Sequence, residues 1–164
     1  MGKPHRLPRS AYTGRVSVFI TCATHGRRRI FEHSAVCESV IAALRHVASN
    51  GIELTAYCLM PDHGHVLLTG LHEGADLLDA VCRWKQKTGY EYRSSPLWQG
   101  NFHDWVLRDA ADCFAVARYI VSDPVRSGIV TDVRDYRWWG SDRWGREELA
   151  RDVWEARAPA WWRD

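Results

Sequence analysis

The order of predicted elements places this chain in the α+β class, as a ferredoxin-like antiparallel sheet with helices packed on one face. Three observations favour this fold. Runs rich in β-branched and aromatic residues alternate with amphipathic runs, two strand-like runs follow each other directly, and turn residues separate the runs. The resulting order is strand, helix, strand, strand, helix, strand, helix, which is the split β-α-β-β-α-β pattern.

Each element is predicted from its local pattern. The predicted strands span residues 15–23, 52–60, 65–69 and 103–107. The predicted helices span residues 33–50, 75–87 and about 109–123, where apolar residues recur at helical spacing. Gly51 ends the first helix, and Pro61 with Asp62 turns the chain between the second and third strands. Pro124 ends the third helix, because a residue before proline avoids the α region.

Chain length and cysteine usage limit the class of protein. With 164 residues the chain is about one domain. Its five cysteines are odd in number and form no C-x-x-C pair, which argues against a disulfide framework and a zinc ribbon. The basic N-terminus lacks the apolar core of a signal peptide, and no apolar run has the length of a membrane span. We therefore expect a cytoplasmic monomer or homodimer that does not associate with membranes.

Basic and aromatic residues suggest a nucleic-acid partner without proving one. The net charge is only +2, but basic residues cluster, and nine tryptophans supply flat aromatic surface. Single-stranded nucleic acid needs both features, charge for its phosphates and platforms for its bases. Solvated charge and buried tryptophan are nevertheless the commoner fates of these residues. The candidate DNA-binding residues in the clusters are Arg27, Arg28, Lys85 and Lys87.

Two histidines one residue apart, His63 and His65, begin an apolar run. Successive side chains of a strand alternate in direction, so both imidazoles point to one face and can converge on one ion. A histidine-triad hydrolase is excluded, because apolar residues follow where its third histidine belongs. A cupin-type or zinc hydrolase requires a further ligand, for which His103 is a candidate. Metal-assisted cleavage of a nucleic-acid strand is the third option.

The sequence resembles the HUH single-tyrosine transposases, and among them the REP-associated tyrosine transposases of bacteria. The likeness runs in order over most of residues 15–140, and its motifs are specific in combination. The matching residues are Tyr57-x-x-Met60-Pro61-Asp62-His63-Gly64-His65-Val66-Leu67-Leu68, Leu97-Trp98-Gln99-Gly100 with Asp104 and Arg108, Arg118-Tyr119-Ile120, and Pro124-Val125-Arg126-Ser127-Gly128.

The resemblance implies an HUH transposase fold and a role for each matching residue. His63 and His65 are then ligands of Mg²⁺ or Mn²⁺, and Tyr119 is the nucleophile that attacks single-stranded, hairpin-forming DNA to give a phosphotyrosine bond. Asp123, one helical turn after Tyr119, is a candidate third ligand, although related sequences usually carry Asn or Gln there. Arg118 and Arg126 flank the tyrosine and are candidate phosphate contacts.

The resemblance also divides the chain. Residues 1–140 are expected to form the catalytic domain, because helical and strand periodicity is lost after Tyr136. Residues 141–164 are expected to form a C-terminal tail rich in Trp and Arg that wraps the domain or contacts a partner.

Two alternatives to a metal-dependent DNA strand transferase remain open at this point. A ferredoxin-like module could bind single-stranded nucleic acid without cutting it, in which case His63 and His65 serve the fold. A cupin-type metal hydrolase is the other alternative.

Overall fold

A computed structural model describes residues 7–92, 95–107 and 112–156. Within them, one antiparallel sheet has the strand order β4-β1-β3-β2-β5. The strands are β1 (Ser17–Ala23), β2 (Ile52–Met60), β3 (His63–Gly70), β4 (His103–Leu107) and β5 (Trp139–Gly140). The helices are α1 (Ser34–Val47), α2 (Leu77–Glu91), α3 (Asp112–Val121), α4 (Asp123–Arg126) and α5 (Arg146–Ala150). Short 3₁₀ turns occupy Arg9–Tyr12, His25–Arg27, Ile30–Glu32, Val133–Asp135 and Val153–Glu155.

The predicted α+β class and the order of the four strands and three helices are confirmed, with their ends shifted by a few residues. The short elements α4, β5 and α5 are additions that the sequence analysis does not predict. The order of β4, β1, β3 and β2 in the sheet is the one that the split β-α-β-β-α-β pattern requires. The predicted start of the third helix, at 109–111, and Arg108 of the matching motif lie outside the described residues.

The helices cover both faces of the sheet, and this placement differs from the single face expected. Val18 and Leu68 belong to a buried cluster with α1 and α2, whereas their neighbours Phe19 and Leu67 belong to a second cluster with α3 and α5. We call these sides the α1–α2 face and the α3 face. The reason lies in β2, whose residues after Glu53 are all buried. A strand without polar alternation needs cover on both sides.

Residues after Tyr136 pack on the domain as far as the described chain extends. β5 pairs with β2, and Gly140 allows this because a Cβ there would lie 2.8 Å from the Tyr57 hydroxyl oxygen. The buried Trp139 indole N–H donates to the Val133 carbonyl at 2.8 Å. Leu149 of α5 is fully buried in the cluster on the α3 face. The rest of the expected tail, 157–164, lies outside the described residues.

Among the residues described, no helix combines the length and the apolar character that crossing a bilayer requires.

We predict that Leu149→Ala destabilises the whole domain by about 2–5 kcal/mol, because it removes a buried side chain that packs on α3. Urea unfolding followed by circular dichroism measures the change. Glu148→Ala is the matched control, since Glu148 is exposed on the same helix and its loss should cost less than about 0.5 kcal/mol. Equal stability of the two variants would show that α5 is not part of the folding unit.

Candidate metal centre

The register of three strands places the two histidines on the α3 face. His65 of β3 lies opposite Thr21 of β1 and Cys58 of β2. The ring of Phe19 stacks on the His65 imidazole, with 5.5 Å between ring centroids. His63 begins the same strand, directly after the two-residue turn that closes the β2–β3 hairpin. The prediction that both imidazoles share one face is therefore confirmed.

Asp123 approaches the histidines from the helical layer that covers the α3 face. It follows α3, where Pro124 at the start of α4 interrupts the helix. Its Oδ2 lies 3.1 Å from His65 Nε2 and 3.4 Å from His63 Nε2, and the two Nε2 atoms lie 3.1 Å apart. These three residues form the only group of His, Cys, Asp and Glu side chains in the described chain with metal-site spacing.

Contacts of the Nδ1 atoms of the two histidines orient their rings. His63 Nδ1 lies 2.6 Å from Asp62 Oδ1. When Nδ1 carries the proton of the neutral ring, Nε2 has a free lone pair that faces the cluster. His65 Nδ1 lies 2.9 Å from the Thr21 hydroxyl oxygen, which can accept a hydrogen bond from an N–H there. Metal-binding histidines commonly hold their second nitrogen in such a contact.

The charge states of Asp123 and His65 favour a cation. Burial favours the neutral acid at Asp123, but hydrogen bonds with His63 and His65 and the charge of Arg126 outweigh it, so the pKa of Asp123 lies well below its usual value. Burial lowers the pKa of His65 and keeps its imidazole neutral near pH 7. An ionised carboxylate and a neutral imidazole are the forms that bind metals. At His63 burial favours the neutral ring, but hydrogen bonds with Asp123 and Asp62 outweigh it and raise the pKa, so a cation competes with a proton there.

The spacing of the ligand atoms fits a divalent metal ion. Ligands 2.1 Å from an octahedral ion lie about 3.0 Å apart at adjacent positions, and those of a tetrahedral ion about 3.4 Å apart. The three separations here, 3.1, 3.1 and 3.4 Å, lie close to both values. Two imidazoles and one carboxylate suit Mn²⁺, Mg²⁺ or Zn²⁺ and do not choose among them.

Tyr119 is connected to this cluster through Arg126. The guanidinium carbon of Arg126 lies 3.9 Å from the centroid of the Tyr119 ring. Arg126 Nη2 donates to Asp123 Oδ1 at 2.7 Å, and Nε donates to the Ser122 hydroxyl at 2.9 Å. Asp123 therefore faces the histidines with one oxygen and Arg126 with the other. Tyr119 itself is half-buried near the end of α3.

The other predicted DNA-binding residues lie at different distances from the cluster. Arg27 lies close, because its Nη1 is 3.4 Å from Asp62 Oδ2. Arg28 lies in the same basic loop as Arg27. It donates to the carbonyl of His25 in that loop and to the carbonyl of Pro96, in the segment before β4. Lys85 and Lys87 belong to α2, on the opposite face of the sheet, where Lys85 donates to the Gln99 carbonyl.

Arg118 and His103 also lie outside the cluster. Arg118 donates to the carbonyls of Arg151 and Asp152, both at 2.7 Å, and so holds the C-terminal segment on α3. His103 lies opposite Thr21 on the far side of β1 from His65. Asp123, and not the His103 of a hydrolase interpretation, lies at metal-site spacing from the two histidines.

Sequence reasoning missed the two residues that orient the histidines. Asp62 was assigned only to the turn, although its position directly before His63 was a usable signal. Thr21 carries no local signal, because it reaches His65 only through the pairing of β1 with β3.

Comparison with known proteins assigns the chain to a family. The profile of the family described as "Transposase IS200 like" matches residues 13–120, more than half of the chain. The chain belongs to the IS200-like transposase family. The matched range contains His63, His65 and Tyr119, whereas Asp123 lies just beyond it. Membership of a transposase family supports an enzymatic activity in general.

Two relatives confirm the resemblance to REP-associated tyrosine transposases. A Haemophilus influenzae protein named as a REP-associated tyrosine transposase is 30% identical over an alignment of 117 residues, and the match covers 62% of this chain and 66% of that protein. The match thus spans just under two thirds of the relative's length. The solved structure of a REP-associated tyrosine transposase bound to a REP hairpin has a TM-score of 0.71 and 23% identity, and covers 85% of this chain and 82% of that chain. The second comparison shows a common fold.

We predict that Asp62→Ala weakens Mn²⁺ binding about 10- to 100-fold, because the His63 ring loses the carboxylate that orients it. Isothermal titration calorimetry measures the affinity. The control is His46→Ala, since His46 is exposed on α1 and its variant should bind Mn²⁺ as the wild type does. An Asp62→Ala variant with wild-type affinity would contradict the orienting role.

Proposed function

We propose that this protein is a metal-dependent single-stranded DNA strand transferase with Tyr119 as its nucleophile. The observation that carries the proposal is the convergence of His63, His65 and Asp123 on one point, with Tyr119 one helical turn before Asp123. Family membership supports DNA as the substrate. A protein that only bound DNA would not require three buried or half-buried ligand atoms at metal-site spacing.

The proposed reaction exchanges one phosphate ester for another. The Tyr119 oxygen attacks a phosphorus of the DNA strand and forms a tyrosine–phosphorus bond, while the bond from phosphorus to the 3′ oxygen breaks. The tyrosine hydroxyl loses its proton and the leaving 3′ oxygen gains one, so the step is balanced. The phosphotyrosine retains an ester, and a second 3′-OH can later attack it and rejoin the strand without ATP.

The metal centre would contribute polarisation of the scissile phosphate. His63, His65 and Asp123 would hold a divalent cation, Mg²⁺ or Mn²⁺ by resemblance, and its positive charge would stabilise the phosphate as negative charge develops. Phe19 stacked on His65 and the apolar residues of β2 keep that side of the site dry, which strengthens electrostatic interactions.

Arg126 would position the nucleophile relative to the cluster. Its guanidinium contacts the Tyr119 ring and donates to Asp123, so the two residues are held in one arrangement. Its side chain is 31% exposed, which leaves part of its charge available to a phosphate. Arg27, 58% exposed beside Asp62, is the second phosphate contact that we propose at this end of the sheet.

The substrate would be single-stranded DNA that folds into a hairpin. The solved relative of the same fold is bound to a REP hairpin, and the named relative is also REP-associated. In this proposal, residues 1–140 carry the catalytic site, and the C-terminal segment that packs on α3 stabilises the helix bearing Tyr119.

We predict that Tyr119→Phe abolishes the covalent protein–DNA adduct and leaves DNA affinity nearly unchanged, because only the attacking hydroxyl is lost. Labelled hairpin DNA incubated with Mn²⁺ and run on a denaturing gel reveals the adduct. Tyr90→Phe is the matched control, since this tyrosine is exposed on α2, which packs on the α1–α2 face, opposite the cluster. An adduct that persists in the Phe variant would identify another nucleophile, and no adduct in the wild type would favour a non-catalytic binding protein.

We predict that Asp123→Asn keeps cleavage but requires more metal, because an amide oxygen can bind the cation without the charge that a hard ion prefers. Asp123→Ala should lose most activity. Titration of Mn²⁺ against cleavage rate distinguishes the three proteins. Superimposable metal curves for wild type, Asn and Ala would end the ligand assignment.

A further inference from the structure

Among the tryptophans whose side chains the structure describes, all but one are buried or half-buried. Of the tryptophans whose side chains are described, three are buried, two are half-buried, and Trp105 is 44% exposed. In that order they are Trp84, Trp98, Trp139, Trp138, Trp144 and Trp105. Five of these six indoles therefore serve packing, and Trp105 is the exposed one, which a ligand can reach.

Trp105 lies on the same face of the sheet as the candidate metal centre. Alternation along β4 directs Trp105 to the side of Leu107, which belongs to the cluster on the α3 face. Trp105 lies opposite Phe19, whose ring stacks on His65. His103, also exposed, lies opposite Thr21, the partner of His65. Strand spacing places the backbone of Trp105 about 12 Å from that of His65.

α3 leaves this part of the face accessible. The helix packs across β2 and β3, whereas the side chains of His103 and Trp105 on β4 are exposed. A strand of DNA cut at the cluster beside Tyr119 can continue over β1 towards β4. Arg27, at the same end of the sheet, supplies a positive charge for the phosphates.

We propose that Trp105 is the stacking platform for one unpaired nucleobase, a few nucleotides from the phosphate that is cut. This subsite rests on the proposed function, because the DNA that it would bind is the strand whose phosphate lies at the cluster. An indole stacks on any base, and a base inside a duplex has both of its faces occupied. Trp105 therefore selects for single-stranded DNA next to the cleavage position and does not read its sequence.

The test uses 2-aminopurine, a base whose fluorescence falls when it stacks on an aromatic ring. Single-stranded DNA with a hairpin carries the probe at each unpaired position in turn, and binds to the Tyr119→Phe protein so that the strand stays intact. We expect the fluorescence to be quenched at one position of the probe. Adding Trp105→Ala to the Tyr119→Phe protein should remove this quenching, and adding Trp105→Phe should retain part of it. The Ala change should weaken binding roughly five- to 150-fold.

Two controls make the outcome specific. Tyr90→Ala removes another exposed aromatic residue, 67% exposed on α2 of the opposite face, and should leave quenching and affinity unchanged. Because Trp105 is partly exposed, thermal unfolding of the Ala variant should remain close to that of its parent. Quenching that survives Trp105→Ala, equal losses in the Trp105 and Tyr90 variants, or no quenching at any position would overturn the subsite.

The quenching measurement and the adduct assay on the wild type together separate this inference from the proposed function. An adduct in the wild type, together with quenching that ignores Trp105, would overturn the subsite and leave strand transfer intact. Quenching that depends on Trp105 without an adduct in the wild type would support the subsite and overturn strand transfer.

Discussion

The contact between His65 and Asp123, 3.1 Å long, depends on the register of the sheet and on the end of α3 together. His63 and His65 reach the α3 face because the β2–β3 hairpin pairs Met60 with His63. A slip of one residue would turn both imidazoles towards α1 and α2. Pro124 ends the α3 hydrogen-bond series at the position where Asp123 can turn its carboxylate to the sheet. The hairpin and the helix end are therefore joint conditions for the site.

The site places an ionised carboxylate in a largely buried position, which destabilises the fold unless the charge has partners. Arg126 satisfies one oxygen of Asp123, and the two imidazoles face the other. Apolar packing on both faces of the sheet surrounds this polar group and restricts its movement. These contacts hold the ligand side chains in one arrangement, a property that favours catalysis by positioning.

Local patterns predict β1 to β4, the helices α1 to α3 and the histidine pair, because periodicity and turn residues are properties of neighbouring residues. Contacts between distant segments were not predictable in this way. β5 consists of two residues whose pairing with β2 has no pattern of its own. Thr21 reaches His65, and Arg126 reaches the Tyr119 ring, only in the folded chain. The resemblance to a family indicates catalytic roles for Tyr119 and Asp123, whereas the residues alone favour packing and helix-end roles for them.

We propose that two histidines of β3 and the carboxylate of Asp123 after α3 form one metal centre. Pulsed electron paramagnetic resonance of the Mn²⁺-loaded protein tests it most directly, because nitrogen couplings count the imidazoles bound to the ion. We expect couplings from two histidine nitrogens in the wild type and from one in His65→Ala. A wild-type spectrum without histidine nitrogen coupling, in protein that binds Mn²⁺, would contradict it.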